Sequence, residues 1–270
     1  MKPKTIATET LHELEQGYYT NDQGQQVSLL ASLEKAVAGT RTFTPQELPL
    51  VLPEYTAQNT QFEAVNETTL NAVRRLRAEG EWNILCLNFA SAKNPGGGFL
   101  NGAVAQEESI ARASGLYPCL VKDWTYYEVH RGMKSCLYTH HMIYSPDVPV
   151  FKFEKGAPMD ELVLVSVITS AAVNAGVVHR LAPEEVPQIE PQMRQRVQAV
   201  LSVAAALGHE ALVLGAWGCG VFRNDPAMIA RLFDEALNSE FKGRFRRVVF
   251  AVFTKSEDMI APFETYFNRP

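Results

Sequence analysis

The sequence has neither the long apolar run of a membrane protein nor the paired cysteines of a zinc or disulfide scaffold. No stretch of the 270 residues approaches the roughly 20 consecutive apolar residues that span a bilayer. The N-terminus also lacks the apolar core of a signal peptide. The four cysteines are far apart and form no C-x-x-C pair. We therefore expect a cytoplasmic protein with no membrane partner and neither a zinc ribbon nor a disulfide framework.

Positive charge is scarce as well. The 25 lysines and arginines are outnumbered by 30 acidic residues, which gives a formal charge of -5. Proteins that bind a polyanionic backbone usually carry a strong excess of basic residues, because these residues release the counterions of the polyanion. We therefore expect no direct DNA binding, and we expect that any polyanionic substrate is recognised within a local pocket.

Apolar residues follow strand and helix periods in alternation. Short unbroken apolar runs predict strands that are buried on both faces. These runs lie at residues 84–87, 162–168, 211–214 and 248–253, with a weaker one at 137–144. Helical spacing predicts helices at 69–79 and around 197–207, and Asp225-Pro226 predicts the start of another. The alternation indicates an α/β fold with a largely parallel or mixed sheet flanked by helices.

The first 60 residues differ from the rest of the chain. They contain two short helical patterns and then a loop interrupted by prolines. We expect residues 1–60 to form an N-terminal accessory extension that docks on a main domain of residues 61–270. Hydrophobic residues make up 46% of the chain, which is enough to bury the core of one such domain, and we expect a monomer.

A glycine-rich stretch at residues 88–108 is the first candidate site. It begins as a predicted strand ends and finishes where a helix should begin, which is where ligands bind in open α/β folds. Gly96, Gly97 and Gly98 would let the backbone turn sharply or approach a ligand closely. An ordinary flexible loop explains an isolated glycine triplet equally well.

Two adjacent carboxylates, Glu107 and Glu108, follow Gln106 at the end of this stretch. Acidic residues at a helix start also stabilise the helix by favouring its dipole, so the pair alone is weak evidence of a site. Adjacent helical residues point about 100° apart. The two carboxylates are therefore not expected to share one proton, and each should serve a different part of a ligand.

A second glycine-rich stretch follows the strand predicted at 211–214. Its backbone N–H groups, together with the start of the next helix, could hold a diphosphate without any lysine. A tight structural turn is the alternative, because the spacing matches neither a P-loop nor a dinucleotide fingerprint. The candidate residues here are Gly218, Cys219, Gly220, Val221 and Phe222.

The two stretches together resemble the bacterial-type poly(ADP-ribose) glycohydrolases. Gly-Gly-Gly and Gln-Glu-Glu separated by seven residues are similar to that family's signature, and Gly-Ala-Trp-Gly-Cys-Gly-Val-Phe is similar to its diphosphate loop. The resemblance covers the chain from about residue 69 onward. It implies a macrodomain-like fold and hydrolysis of poly(ADP-ribose) from the chain end, with release of ADP-ribose and with no metal or cofactor.

The resemblance also implies roles for single residues. Glu108 takes the place of the catalytic glutamate, and Glu107 that of the neighbour which binds hydroxyls of the reacting ribose. The glycine triplet would pass close to the terminal ADP-ribose, residues 218–221 would hold its diphosphate, and Phe222 would stack on it. Gln106 belongs to the same signature and is expected to bind substrate. Asn88 could match the first asparagine of the macrodomain Asn-Ala-Ala-Asn run.

The resulting hypothesis is that Glu108 protonates the leaving ribose oxygen and then, as a carboxylate, activates a water molecule. The expected partners are poly(ADP-ribose), ADP-ribose and ADP-ribosylated proteins. The alternatives are a non-catalytic ADP-ribose-binding macrodomain, a hydrolase of mono-ADP-ribosyl protein esters or another ADP-ribose derivative, and a sugar-nucleotide or phosphate enzyme of unrelated type. A metal site built on His140 and His141 is not expected, because adjacent strand residues point to opposite faces.

Overall fold

The computed structural model describes residues 1–268, and two sheets and ten α-helices make up most of them. The strands are β1 (Tyr18–Thr20), β2 (Gln26–Ser28), β3 (Arg41–Phe43), β4 (Gln61–Val65), β5 (Ile84–Phe89), β6 (Met142–Lys152), β7 (Pro158–Ser170), β8 (Ala211–Leu214) and β9 (Arg247–Ala251). The helices are α1 (Pro3–Gln16), α2 (Leu30–Gly39), α3 (Thr69–Ala78), α4 (Gln106–Ala113), α5 (Leu116–Leu120), α6 (Thr125–Gly132), α7 (Ala175–Leu181), α8 (Ile189–Ala206), α9 (Pro226–Leu237) and α10 (Glu257–Phe267). Short 3-10 helices lie at Phe99–Asn101 and Pro183–Gln188.

The main sheet has seven strands in the order β3-β6-β7-β5-β8-β9-β4. The strands from β7 to β4 run parallel, whereas β6 is antiparallel to both β7 and β3. This arrangement confirms the predicted mixed sheet flanked by helices. The small second sheet is the antiparallel pair of β1 and β2.

Alternate residues of the central strands enter two different hydrophobic clusters. Leu85 and Leu87 of β5 pack in one cluster, while Ile84 and Cys86 pack in the other. Successive side chains of a strand point to opposite faces. The unbroken apolar runs therefore arise because both faces of the sheet are covered, as expected for parallel strands.

Local signals place two of the predicted helices well. Thr68 caps α3 by accepting a hydrogen bond from the Asn71 N–H, and Asp225 caps α9 by accepting one from Ala227, with Pro226 as the first helical residue. None of the helices within residues 1–268 is long and apolar enough to cross a membrane.

The strand predicted at 137–144 is wrong in its position, because β6 begins only at Met142. Tyr138 has a left-handed backbone with φ +57°, which a strand cannot contain. The carbonyl oxygens of Leu137 and Tyr138 instead accept hydrogen bonds from the buried guanidinium of Arg196 in α8. A turn pinned from another helix therefore replaces the first part of the expected strand.

The N-terminal segment is attached to the main domain in two ways. Helix α1 contacts α4, where the Thr10 hydroxyl donates a 2.6 Å hydrogen bond to the carbonyl of Arg112. Strand β3 is an edge strand of the seven-stranded sheet, paired with β6. The boundary near residue 60 stays a prediction, although the segment before it supplies one strand of the main sheet.

We expect Phe250→Ala to lower the free energy of unfolding by about 3–5 kcal/mol, the usual cost of deleting a buried phenylalanine. Phe250 is fully buried, and its ring stacks on Phe267 at 3.8 Å between centroids. The control is Phe253→Ala, because Phe253 follows the same strand but is 77% exposed and should change stability by less than about 0.5 kcal/mol. Urea denaturation measures both. Equal costs for the two variants would contradict the described core.

Candidate active site

The two glycine-rich stretches meet at one edge of the sheet. Strands β5 and β8 are parallel neighbours, so the loops that follow them leave from the same edge. Gly215 begins the second loop and lies against the first: a Cβ added there would sit 3.0 Å from the ring of Phe89 and would clash with the carbonyl oxygen of Ala251. Only glycine allows this approach. The two motifs therefore form one site.

The end of β7 fixes both loops to a shared anchor. The carbonyl oxygen of Ser170 accepts a 3.0 Å hydrogen bond from the indole N–H of Trp217 and a 3.3 Å bond from the backbone N–H of Ala90. Trp217 is fully buried. Its hydrogen bond to the end of β7 gives the second loop a rigid base rather than a free turn.

Gln106 fastens the start of α4 to β5. Its side-chain amide donates to the carbonyl of Leu87 at 2.8 Å and to the hydroxyl of Thr69 at 3.0 Å, and it accepts from the N–H of Phe89 at 2.8 Å. Both kinds of polar atom in the amide are thus bonded to the protein. These bonds position the two glutamates that follow Gln106, and the expectation that Gln106 binds substrate stays a prediction.

Glu107 is a buried carboxylate with 3% of its surface exposed. Its Oε2 accepts a 2.6 Å hydrogen bond from the N–H of Ser91, and its Oε1 lies 3.4 Å from the amide nitrogen of Asn88. Burial raises the pKa of Glu107 to about 8, against the opposing effect of the Ser91 bond, and repulsion by Glu108 raises the pKa further. Burial therefore favours the protonated form of Glu107 more than it would in an exposed glutamate.

Glu108 is half-buried and faces the glycine triplet. Its Oε1 accepts a 2.9 Å hydrogen bond from the N–H of Gly98. Gly97 has φ +60°, and a Cβ there would clash with Glu108 Oε1 and lie 3.0 Å from Glu107 Oε2. The glycines thus let the backbone come up against both carboxylates. The two acids have different surroundings, one buried and one partly open, as their directions in a helix predicted.

The loop at residues 218–222 presents backbone N–H groups. Among the described residues, none accepts a hydrogen bond from the N–H of Gly220, Val221 or Phe222. Consecutive unpaired N–H groups before a helix start form a site for an anion. The Cys219 thiol is not a nucleophile candidate, because burial raises its pKa far above the ordinary value.

Asn224 closes this loop and was not singled out from the sequence. Its amide nitrogen donates to the carbonyls of Val173 at 2.7 Å and of Gly218 at 3.1 Å, and its backbone N–H donates to the same Gly218 carbonyl at 3.0 Å. Gly218 has φ +72°, and a Cβ there would collide with the Asn224 amide. An asparagine just before a helix cap gave no signal that distinguished it from an ordinary turn residue.

Arg196 also escaped sequence reasoning. It is fully buried, and its guanidinium donates to the carbonyls of Leu137, Tyr138 and Ala171. Tyr138 in turn lies 6.3 Å from the ring of half-buried Phe222. Arg196 therefore holds the turn that backs Phe222. The sequence offers one indication of this role, because Arg196 is a charged residue on the apolar face of a predicted helix.

The histidines considered as metal ligands are bonded to protein groups. His140 lies 3.0 Å from the amide oxygen of Gln195, and His141 lies 2.7 Å from the hydroxyl of Thr139. Both histidines precede β6 rather than lie in it. Within the part of the chain that the structure describes, no group of three or more His, Cys, Asp or Glu side chains could hold a metal ion.

The chain as a whole is similar to known proteins. The family model for the microbial-type PARG catalytic domain matches residues 7–153. The chain is similar to the crystal structure of poly(ADP-ribose) glycohydrolase from Thermomonospora curvata, with 42% identity, a TM-score of 0.94 and coverage of 98% of this chain and 99% of that one. The same enzyme bound to the inhibitor ADP-HPD matches with 42% identity, a TM-score of 0.92 and the same coverage.

A second bacterial enzyme is also similar. Poly(ADP-ribose) glycohydrolase from Deinococcus radiodurans in complex with ADP-ribose shares 47% identity, with a TM-score of 0.83 and coverage of 87% of this chain and 96% of that one. Among curated proteins, none matches the chain significantly.

We expect Glu107→Gln to remove a pH-dependent loss of stability. The pKa of Glu107 is about 8 in the folded protein and about 4.5 for an unperturbed glutamate, so the wild-type carboxyl costs nothing below about pH 4.5 and destabilises the fold as pH rises toward 8. The glutamine variant should gain roughly 2–5 kcal/mol over wild type between pH 5 and 9. Urea denaturation across this range measures the gain.

The matched control is Glu257→Gln, an exposed glutamate in the first turn of α10. Its stability difference from wild type should stay nearly constant across the same pH range. If the Glu107→Gln curve ran parallel to the wild-type curve, Glu107 would not be the buried carboxyl with a raised pKa described above.

Proposed function

The chain belongs to the microbial-type poly(ADP-ribose) glycohydrolase family, and from this premise we propose that Glu108 is the general acid and base of its reaction. The protein is a hydrolase of the glycosidic bonds in poly(ADP-ribose). The observation that carries the assignment is the position of the Glu108 carboxylate, half-buried against the glycine triplet, beside a second glutamate that is fully enclosed.

The proposed substrate contacts follow from the two loops. The terminal ADP-ribose places its diphosphate on the free N–H groups of Gly220, Val221 and Phe222, and the ring of Phe222 stacks on the same unit. Its distal ribose then reaches the edge of β5, where the glutamates lie. The ADP-ribose and ADP-HPD complexes of the two related bacterial enzymes support this class of ligand.

The proposed reaction begins with Glu108 in its acid form. Glu108 gives its proton to the ribose oxygen of the leaving unit as the bond from that oxygen to the anomeric carbon breaks. The oxocarbenium ion that forms takes the oxygen of a water molecule, and the Glu108 carboxylate takes that water's proton. Glu108 thereby returns to its starting form.

Glu107 has a different proposed task. The Ser91 N–H and the Asn88 amide hold its two oxygens. The orientation of the carboxyl toward a ribose hydroxyl is therefore set before substrate binds. In its protonated form Glu107 adds no second negative charge close to the diphosphate. This favours binding, because like charges at short range repel each other. The side-chain amide of Asn88, which contacts Glu107, is itself held by a hydrogen bond to the hydroxyl of Thr169.

Several finer features belong to the same proposal. We propose that cleavage occurs at the chain end. We also propose that it needs no metal, because the glutamate itself protonates the leaving oxygen, whose charge a metal ion could otherwise stabilise. The four cysteines are free thiols, which suits a reducing cytoplasm. ADP-ribosylated proteins are the proposed carriers of the substrate, and a monomer contains every residue of the proposed site.

We expect Glu108→Gln to lower turnover of poly(ADP-ribose) by at least about a hundredfold, because the amide cannot transfer a proton. The affinity for ADP-ribose should stay within about tenfold, since Gln keeps an oxygen that can accept from the Gly98 N–H. Release of ADP-ribose from labelled polymer measures turnover, and calorimetry measures affinity. Both are run with and without EDTA, which should change neither. Turnover close to wild type in the variant would remove Glu108 from this role.

We expect Gly97→Ala to lower turnover by more than tenfold, because the new methyl group would displace the Glu108 carboxylate. The matched control is Gly24→Ala. Gly24 also has a left-handed backbone, with φ +76°, but a Cβ there meets nothing within 4 Å. The control bears the same kind of backbone strain and should keep normal turnover. Equal losses in the two variants would show that general strain, and not the displaced carboxylate, limits the reaction.

A further inference from the structure

Arg112 is a buried arginine one helical turn after Glu108. It lies four residues later on α4 and is 2% exposed. Residues four apart share a helix face, and long helical side chains point back toward the helix N-terminus. The guanidinium follows this direction, because its Nη1 donates a 2.6 Å hydrogen bond to the carbonyl of Ala103, before the start of α4. Arg112 thus spans the helical turn that carries Glu108.

The Ala103 carbonyl belongs to the loop turn that binds Glu108, at residues 98–103. The Ala103 N–H donates to the carbonyl of Gly98 at 3.1 Å, and the Gly98 N–H donates to Oε1 of Glu108 at 2.9 Å. A Cβ added to Gly98 would lie 2.9 Å from the Ala103 Cβ, so these two residues are packed closely together. Arg112 therefore holds one end of the turn whose other end binds the Glu108 carboxylate.

The Arg112 guanidinium also interacts with the charge of Glu108. Burial lowers the pKa of Arg112, and the negative charge of Glu108 opposes this shift. Among residues 1–268, the Ala103 carbonyl is the one acceptor that is hydrogen-bonded to this guanidinium. A neutral donor could bond one carbonyl without the unfavourable burial of a charge. The neighbouring carboxylate accounts for the charge, which stabilises Glu108 after it has given up its proton.

Helix α1 fixes the backbone of Arg112. The hydroxyl of Thr10, a fully buried residue of α1, donates a 2.6 Å hydrogen bond to the Arg112 carbonyl. Ala7 of α1 packs in one hydrophobic cluster with Phe99 of the 98–103 turn and Ala111 of α4. The N-terminal extension thus covers both the helix that carries Arg112 and the turn that Arg112 binds, and the arginine is held at its backbone and at its tip.

We propose that Arg112 is a positioning residue of the reaction, which holds the 98–103 turn so that the Gly98 N–H keeps the Glu108 carboxylate directed at the substrate. The inference rests on the proposed role of Glu108. Within residues 1–268, the Gly98 N–H is the one group that donates a hydrogen bond to this carboxylate. Misplacing a catalytic group by about 1 Å can lower turnover by about a hundredfold. Loss of Arg112 should therefore lower kcat and leave ADP-ribose binding unchanged.

The test compares Arg112→Met, which keeps an unbranched stem but has no charge and no donor, with Arg112→Lys, which keeps both. In the methionine variant, kcat on labelled poly(ADP-ribose) should fall at least about thirtyfold, while KM stays within about twofold. Calorimetry should show ADP-ribose affinity within about threefold of wild type, because the diphosphate loop is unchanged. The lysine variant should recover kcat to within about fivefold of wild type.

A second background separates positioning from general damage to the fold. A residue that acts through Glu108 has nothing left to position in Glu108→Gln, so adding Arg112→Met there should lower the residual turnover by no more than about twofold. The control is Arg75→Met, which removes an arginine that pairs with three glutamates away from the glycine triplet. It should keep kcat within about twofold of wild type. If Arg112→Met does not fold, Arg112→Gln replaces it, with an expected loss of at least about tenfold.

Several results would overturn the inference. One is a folded Arg112→Met protein with wild-type kcat, and another is a loss that appears in KM and in ADP-ribose affinity instead of kcat. A lysine variant as slow as the methionine variant, or a further loss in the Glu108→Gln background as large as in wild type, would also overturn it. Wild-type turnover in Glu108→Gln alone would instead refute the proposed role of Glu108, and this inference with it.

Discussion

The parallel pairing of β5 with β8 is the constraint on which the site depends. It brings together two loops that are more than a hundred residues apart in the chain, and the contact of Gly215 with Phe89 closes the space between them. Each loop alone is an ordinary glycine-rich turn. Side by side, one supplies free backbone N–H groups and the other two carboxylates, and this combination is what an anionic sugar substrate requires.

The two neighbouring glutamates differ in burial, and this difference separates their roles. The same helix turn carries both, but one side chain points inward to Asn88 and the Ser91 N–H, while the other faces the glycine triplet. The inward carboxyl has a pKa of about 8 because charge is costly away from water. Two chemically identical side chains thus acquire different surroundings from position alone, which is a common origin of distinct roles in active sites.

Buried polar side chains from outside the motifs give the loops their rigidity. Gln106 fixes α4 to β5, Asn224 closes the second loop, and Arg196 holds the turn that backs Phe222. Each of the three donates at least one hydrogen bond to a backbone carbonyl, and such carbonyls would otherwise be buried without partners. A site built on such supports keeps its geometry without help from the ligand.

The sequence by itself determined the central strands, the capped helices and the two motifs, because these follow from local periodicity, from turn chemistry and from a resemblance carried by contiguous residues. It misplaced the strand at 137–144 and missed Arg196. Only the tertiary structure decided these points, since the turn at Tyr138 exists through hydrogen bonds from a helix more than fifty residues later. It also decided that Gln106 bonds to Leu87, Phe89 and Thr69 and that β3 joins the main sheet, because the partners of a polar side chain or an edge strand can lie far away in the chain.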